Sequence, residues 1–528
     1  MKILIITGIL AKNVILKNIK DYTKHELYLE VMPLPIAAFI TPKVVIYYLK
    51  EKNVLKSVNT DKSSPVDNID MIITPGLMRQ DSNNIQEQLR IPSFKGPTNA
   101  SDIRMTLDII GDINLSTTKP ADILIRDQQY KEAMKIINDY KSRSPKINQL
   151  LEKKSNILIK DCPVGLDFPM RVLGEISNAP SLTDEELFKT VNYYVESGAD
   201  MIDIGMHVGE NNPEHAYHMI KLVTDNFDIP VSIDTLNPKE IKASLDAGCD
   251  LVLSLDHGNY DKVIKDIEDN DATAVILPTD YSRNYIPDTP IKKVESLGKL
   301  DNLCKNIRTI SDTLLDPINS PSLTDSIVTM KLFREKYPEK LLFFGAGNVS
   351  ELLDADSNGV NAVLSGLAME VNANILFTPE ASLKTKNSIK ELKTASSMMF
   401  ISKQKNTIPK NLGLNLIQLK DAYNKEDAPV DTSNLKYIKA VADGKFIPDR
   451  KGSFKIIVED DVIKAILYQN YEATAVIYGT TARAMYEEIL RRDLISRMEH
   501  DSYLGMELEK AEIALKLNKK YIQDFPIF

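Results

Sequence analysis

The spacing of apolar residues divides the chain into three stretches with different patterns. In the first, short apolar runs at 2–7, 27–32 and 70–76 alternate with helix-prone segments, which predicts a small α/β domain with a parallel sheet. The following segment FKGPTNASD (94–102), with Thr98 or Ser101 as a helix cap, is a candidate anion cradle. The glycine spacing of a dinucleotide site is absent, so a structural or docking role is the favoured alternative.

The middle stretch alternates much more regularly, with eight apolar runs that are each followed by a helical segment. Eight such units in about 240 residues are typical of a (β/α)₈ TIM barrel, and a doubly wound open sheet is the rival architecture. The predicted strands lie at 170–176, 200–205, 230–234, 250–255, 273–278, 313–316, 341–345 and 374–378.

Beyond residue 400 this repeat ends. The run at 454–468 predicts two strands joined by a turn around 459–461, and a further strand and two helices follow it. The predicted fold class is therefore α/β, with a central TIM barrel between a Rossmann-like N-terminal α/β domain and a C-terminal α+β domain. The predicted domains are 1–150, 157–400 and 401–528.

Acidic residues recur where the predicted barrel strands end, at Asp203, Asp234, Asp256 and Asp316. A single aspartate in such a place is more often a helix cap. In TIM barrels, however, the carboxyl ends of the strands form the mouth of the active site. Several acids converging there predict a site for a ligand rich in N–H donors. His257, which follows the fourth strand, is a candidate general acid or base.

Composition and charge exclude several classes of function. A net charge of −9 argues against nucleic acid as a partner, because phosphate binding needs a concentrated basic surface. The apolar stretches are too short or too interrupted by proline to span a membrane, and three scattered cysteines fit a reducing, cytoplasmic location. His215 and His218 share a helix face but lack an evident third ligand, so no metal centre is predicted.

Four motifs bear on identity: GADMIDIG, IPVSIDT, TLLDP and LLFFGAGNVS. In order and spacing they resemble the pterin-binding barrel superfamily, which includes dihydropteroate synthases and methyltetrahydrofolate–corrinoid methyltransferases. The three-part layout resembles archaeal dihydropteroate synthase-related proteins. The resemblance implies a reduced pterin as ligand, with Asp234 and Asp316 accepting hydrogen bonds from its pyrimidine edge.

The motifs do not agree on a branch of this superfamily. The loop GAGNVS (345–350) lacks the lysine of the synthases and resembles the methyltransferase loop, which implies that Asn348 approaches the pterin N5. The first strand, with Glu175 and Asn178, also resembles the methyltransferases. Leu253 stands where both branches usually place an asparagine, and Ser254 follows it. The diphosphate anchor of the synthases is replaced by FTPEAS (377–382).

These observations predict a pterin-binding transferase that resembles dihydropteroate synthase and joins a dihydropterin methyl diphosphate to an arylamine in folate or methanopterin biosynthesis. The first alternative is methyl transfer from a methyl-tetrahydropterin to a corrinoid protein, with His500 as the residue to examine for cobalt. The second is pterin binding without catalysis. Mg²⁺ is a candidate cofactor, and a homodimer is expected by analogy. The predicted catalytic residues are Asn348 and His257, and the predicted pterin ligands are Asp234, Asp316, Asn348, Asn178, Ser254, Asp203 and Glu175.

Overall fold

The computed structural model describes residues 1–52, 54–141, 144–419, 432–441, 448–470 and 472–528. The chain divides into two compact units, Met1–Asn434 and Leu435–Phe528. The first unit contains both the predicted N-terminal domain and the predicted barrel. Residues 420–431 and 442–447 of the predicted third domain lie outside the described residues.

The N-terminal region is built on a parallel sheet with the strand order β2-β1-β5-β6. The three predicted strands are confirmed, and the sheet gains a fourth from residues that the sequence assigned to a loop. Apolar clusters cover both of its faces. The strands are β1 (Lys2–Thr7), β2 (Glu26–Val31), β3 (Leu55–Lys56), β4 (Ser63–Ser64), β5 (Met71–Thr74) and β6 (Ser93–Lys95); β3 and β4 form a separate pair. The helices are α1 (Lys12–Ile19), α2 (Pro42–Glu51), α3 (Asn83–Leu89), α4 (Ile103–Asp108), α5 (Ala121–Asn138) and α6 (Pro145–Leu151).

The middle region is a closed barrel of eight parallel strands surrounded by helices, as predicted. An antiparallel hairpin of β7 (Asn156–Ile159) and β8 (Cys162–Gly165) precedes it. The barrel strands are β9 (Arg171–Ile176), β10 (Met201–Gly205), β11 (Val231–Asp234), β12 (Leu251–Leu255), β13 (Thr273–Ile276), β14 (Arg308–Asp312), β15 (Leu341–Phe344) and β16 (Ile375–Pro379). The helices are α7 (Asp184–Glu196), α8 (Pro213–Asn226), α9 (Pro238–Asp246), α10 (Tyr260–Asp269), α11 (Pro290–Leu303), α12 (Leu323–Lys336), α13 (Gly347–Ser350), α14 (Ser357–Glu370) and α15 (Ser388–Lys405).

The sixth barrel strand differs from the prediction. It is β14, which ends at Asp312, whereas the sequence motif placed it at 313–316. Ile310 fills the barrel interior, so the inward alternation of the strand reaches Asp312. The chain then leaves the sheet, and Leu314 adopts a left-handed conformation with φ of 65°. The motif residue Asp316 therefore lies in the loop beyond the strand.

Two layers of apolar side chains stabilise the barrel. One packs between strands and helices, and the other fills the interior with residues such as Leu173, Met201 and Phe343. Ile159 and Val164 of the β7–β8 hairpin belong to the interior cluster. They close the barrel at the end where the strands begin, which leaves the opposite end for a site.

The second unit contains an antiparallel sheet in the order β17-β18-β19, formed by β17 (Ser453–Glu459), β18 (Val462–Gln469) and β19 (Glu472–Gly479). Helices α16 (Ala482–Arg491) and α17 (Met498–Lys516) complete it. The predicted hairpin and terminal helices are thus confirmed. Leu504 and Leu508 of α17 pack in the core of this unit. Among the described residues, no helix combines the length and apolar character needed to cross a membrane.

The plug formed by the hairpin is testable through Ile159, whose side chain is 1% exposed. We expect Ile159→Ala to lower the free energy of unfolding by about 2–5 kcal/mol, because it leaves a cavity beneath the barrel floor. Ile291→Ala, at an exposed position of α11, is the matched control and should change stability by less than about 0.5 kcal/mol. Urea denaturation measures both. Equal stabilities of the two variants would contradict the role of the plug.

Candidate functional site

Acidic side chains from adjacent strands meet inside the mouth of the barrel. Glu175 on β9 is the register partner of Asp203 on β10, and Asp203 is also paired with Ser232 on β11. All three share the inward-facing alternation of their strands, so they lie at one level. Asp234, two residues beyond Ser232, stands above them toward the opening. The register thus brings together three acids that are far apart in sequence.

Gly205 leaves the space that this arrangement needs. It is the register partner of Asp234, and a Cβ atom at Gly205 would lie 3.1 Å from the Oε1 atom of Glu175. A larger residue would push into the carboxylates. One oxygen from each of Glu175, Asp203 and Asp234 therefore lies within 4.8 Å of the other two.

A β-bulge turns Ser254 toward this group. The register between β12 and β13 shifts between Val252 and Leu255, and Ser254 adopts φ of 68°. Strict alternation would place Ser254 on the opposite face from the inward-facing Leu253, but bulges re-aim side chains. The Ser254 hydroxyl donates a hydrogen bond to the Oδ1 atom of Asp234. Such a left-handed conformation is unfavourable for a serine, and conformations of this kind cluster at functional sites.

The crowding of carboxyl groups in a buried space changes their protonation. Burial, reinforced by Asp234, raises the pKa of Glu175 to about 7. Burial and the carboxylates of Asp234 and Glu175 raise the pKa of Asp203 well above its usual value. Burial also raises the pKa of Asp234, against a hydrogen bond from Ser254. Like charges this close cannot all be present in an apolar environment, so the cluster retains protons near neutral pH.

One oxygen of this cluster marks a place for a ligand. Asp203 is fully buried, and its Oδ1 atom accepts a hydrogen bond from the Ser232 hydroxyl. Its Oδ2 atom is buried without a hydrogen-bond partner among the described residues. Buried polar atoms are normally paired, so this atom indicates an occupant that forms a hydrogen bond with it or a metal ion that it coordinates. Because carboxylate oxygens are the ligands that Mg²⁺ prefers, these acids have the chemistry to hold that ion as well.

Strand six contributes an acid that the sequence reasoning missed. Asp312 ends β14, and burial raises its pKa to about 7, with Asp234 and Asp316 adding to the effect. Its Oδ1 atom accepts a hydrogen bond from the Leu314 amide at 2.8 Å. The predicted ligand Asp316 is instead held by its neighbours. The buried Lys293 ammonium of α11 lies 2.9 Å from its Oδ2 atom, and the Ser326 hydroxyl donates to the same oxygen at 2.9 Å.

The other predicted residues make contacts outside the group of three acids. Asn348 is exposed on α13, and its Nδ2 atom donates at 3.0 Å to the carbonyl of Leu315, the residue before Asp316 in the loop after β14. Asn178 is exposed in a left-handed turn after β9. The His257 ring lies against α11, with its Nε2 atom 3.1 Å from the Ser296 hydroxyl. Asp256 accepts hydrogen bonds from the amides of Gly258 and Tyr281, so it organises loops.

The raised pKa of Glu175 predicts how stability depends on pH. A carboxyl with a higher pKa in the folded chain binds more protons when folded, so stability falls as pH rises from the unfolded pKa to the folded one. For Glu175 this window runs from about pH 4.5 to about pH 7. We expect Glu175→Gln to remove on the order of 1–3 kcal/mol of this loss, and to be more stable than wild type above about pH 7.

Chemical denaturation at several pH values measures the effect, with the exposed Glu335→Gln as the matched control. The control should follow the wild-type profile. A Glu175→Gln profile parallel to wild type would mean that this carboxyl is ionised in the folded protein throughout the range.

Two family models match the chain, one in each of its two compact units. Residues 178–313, which include Asp203, Asp234 and Asp312, match the family model described as pterin binding enzyme. Residues 448–524 in the second unit match the model PterinBD-DUF4346.

Solved dihydropteroate synthases are similar to part of the chain. The enzyme of Yersinia pestis in a sulfonamide drug complex is 13% identical with a TM-score of 0.39, over 47% of this chain and 99% of the enzyme. The enzyme of Thermus thermophilus in complex with 6HMPPP is 15% identical with a TM-score of 0.37, over 46% of this chain and 97% of the enzyme.

The full length of the chain is matched by an uncharacterized protein of Methanocaldococcus jannaschii. The two are 41% identical over 540 aligned positions, which cover all of this chain and 99% of the relative. A match of this extent includes the barrel and both flanking regions. The chain therefore belongs to the same family as the Methanocaldococcus jannaschii protein.

Proposed function

We propose that this protein is a transferase that binds a reduced pterin in the barrel mouth, with Asp234 as the main anchor. The observation that carries the proposal is the group of three acids in the barrel mouth, of which Asp203 is fully buried and has an unpaired oxygen. The pyrimidine edge of a pterin presents an amino group and ring N–H donors. A carboxylate accepts two such hydrogens at once, and the bonds strengthen in a site shielded from water.

The raised pKa values of the clustered carboxyl groups match the hydrogen-bonding needs of this ligand. A pterin edge carries a carbonyl and ring nitrogens beside its donors, so it needs hydrogen-bond donors as well as acceptors. Burial raises the pKa of Glu175 to about 7 and raises the pKa of Asp203 well above its usual value, so these two carboxyl groups are suited to donate a hydrogen bond to the ligand. Asp312, at the end of the sixth barrel strand, adds another group of the same kind. The set can therefore match a mixed pattern of donors and acceptors.

For the reaction, we propose condensation of a dihydropterin methyl diphosphate with an arylamine. The arylamine nitrogen attacks the methylene carbon, the carbon–oxygen bond to the diphosphate breaks, and the amine proton is released. The acids at the mouth repel a diphosphate, and two cations of the barrel's fifth unit are paired with acids. Lys293 contacts Asp316, and the 83% exposed Arg283 side chain lies 3.5 Å from Asp280. Mg²⁺ bound with the substrate would neutralise the leaving group, so we propose it as the cofactor.

The position of Asn348 supports a second candidate, methyl transfer from a methyl-tetrahydropterin to a corrinoid protein. Its Nδ2 atom donates to the Leu315 carbonyl, which holds the amide against the loop after β14. That bond leaves the Oδ1 atom to accept a hydrogen from a protonated N5, the state from which a methyl group departs. His500 does not support corrinoid binding by the chain itself, because its side chain is only 11% exposed and lies near the rings of Phe454 and Tyr503.

Anaerobic calorimetry with two ligands tests the proposal. We expect a hydroxymethyl-dihydropterin diphosphate with Mg²⁺ to bind more tightly than a methyl-tetrahydropterin. We expect Asp234→Asn to weaken both by about 10–100-fold, because a charge-assisted pair is lost. Asp269→Asn, at an exposed position of α10, is the matched control and should bind as wild type does. Unchanged binding in Asp234→Asn would remove the anchor from the proposal, and tight binding without turnover of any arylamine would favour a pterin-binding protein.

Asn348→Ala separates the two reactions. If the protein transfers methyl groups, this variant is expected to lose at least about 10-fold in transfer rate while its affinity for the methylated pterin changes less, because the bond to N5 forms mainly as charge develops. Under condensation chemistry the same variant should keep most of its activity. Single-turnover transfer to free cob(I)alamin, followed by absorbance, measures the rate. Intact transfer in the variant would contradict the assigned role of Asn348.

A further inference from the structure

A second cavity lies in the N-terminal region, at the carboxyl ends of its parallel strands. Its volume is about 440 Å³, within the range of ordinary small-molecule pockets. The chain moves from β1 outward to β2 in one direction and to β5 and β6 in the other. The cavity therefore sits at the point where the strand order reverses, which is where open α/β sheets bind their ligands.

The walls of this cavity are fixed by contacts between neighbouring loops. The amides of Ile9 and Leu10, after β1, donate to the carbonyls of Leu34 and Pro35, after β2, at 2.9 and 3.2 Å. A Cβ atom at Gly8 would lie only 2.9 Å from the Leu34 oxygen, so the close approach of these loops depends on this glycine.

The loops after β5 and β6 are joined in the same way. The Gly76 amide donates to the Pro97 carbonyl at 3.1 Å, and a Cβ atom at Gly76 would lie 2.5 Å from the carbonyl carbon of Pro97. Both pairs of loops are thus held backbone to backbone, and the space between them is preformed.

The chemistry of the lining differs from that of a phosphate site. Among the described residues that line the cavity, no side chain is charged. Thr98, the predicted cap in the loop predicted as an anion cradle, is committed elsewhere. The Thr98 amide and hydroxyl both donate to the Asp122 carboxylate at 2.9 Å, and the Asn99 side chain accepts from the Ser101 amide. An anion entering here would find the Thr98 donors occupied and the Asp122 carboxylate close behind them.

Apolar side chains supply most of the surface instead. Ile6, Val14 and Ile73 are buried in the walls, while Ile36 and Leu77 remain 46% and 50% exposed beside the opening. Exposed apolar residues around a concave opening are typical of a binding site that is covered when occupied.

We propose that this cavity is a second ligand site, distinct from the barrel mouth, which takes an uncharged aromatic or branched alkyl group of a small molecule. The preformed apolar walls would receive such a group without rearrangement, and burial of its surface would drive binding. The proposal is independent of the pterin reaction, because it depends only on the N-terminal loops.

Fluorescence titration of the full-length protein with prodan, an uncharged naphthalene fluorophore, tests the site. We expect saturable binding with a blue-shifted emission, unchanged in Asp234→Asn and not displaced by ATP. Ala11→Phe, which fills the cavity from the start of α1, should weaken binding at least 10-fold. The matched control Ala484→Phe makes the same change at an exposed position of α16 and should bind as wild type does.

A second variant tests the site even if Ala11→Phe does not fold. Leu77→Ser changes an exposed residue of the opening and should weaken prodan binding several-fold while the circular dichroism spectrum and unfolding midpoint stay as in wild type. Isotope-labelled isoleucine methyl spectra should show the largest shifts at Ile36 and Ile73. The proposal would be overturned if prodan does not bind, if Ala11→Phe and Leu77→Ser both bind it as tightly as wild type does, or if ATP displaces it.

Discussion

The mutual repulsion of carboxyl groups in a buried barrel mouth is the constraint on which the site depends. The register of three adjacent strands places Glu175, Asp203 and Asp234 together. At this separation, charge repulsion prevents all three carboxyl groups from being ionised at once. The surrounding structure accommodates them through serine hydroxyls, a glycine in place of a side chain, and retained protons. Such an arrangement costs stability, and enzymes retain costs of this kind at functional sites.

The floor of the barrel contributes stability, whereas the mouth carries the acidic site. At the floor, the β7–β8 hairpin seals the interior with apolar side chains, which contributes to the burial that stabilises the fold. At the mouth, the same inward alternation presents acids instead. The change occurs within a single strand: Leu173 lies in the apolar interior, and Glu175 lies two residues later in the acidic group. Burial of apolar side chains at the floor thus offsets the unfavourable free energy of the acidic group at the mouth.

The sequence predicts the barrel well because each strand is a short apolar run followed by an amphipathic helix, and this pattern depends only on local spacing. The acids of strands two and three are predictable for the same reason. Asp312 is not, because the motif around Asp316 suggests a strand that the chain has already left. The inward turn of Ser254 is also beyond the sequence, since it requires a bulge whose left-handed serine breaks the alternation. The pairing of Lys293 with Asp316 joins a helix to a distant loop, and no local pattern signals it.

The two cavities of the first unit differ in the property that selects a ligand. In the barrel mouth, an unpaired Asp203 oxygen and carboxyl groups with raised pKa values favour a ligand with both hydrogen-bond donors and acceptors. In the N-terminal region, the Thr98 hydroxyl and the Ile9 and Gly76 amides are already paired, and most of the lining is apolar, so the cavity offers mainly shape and apolar surface. Two preformed sites with opposite chemistry would let one chain recognise a polar heterocycle and an apolar group without competition between them, because neither ligand satisfies the walls of the other site.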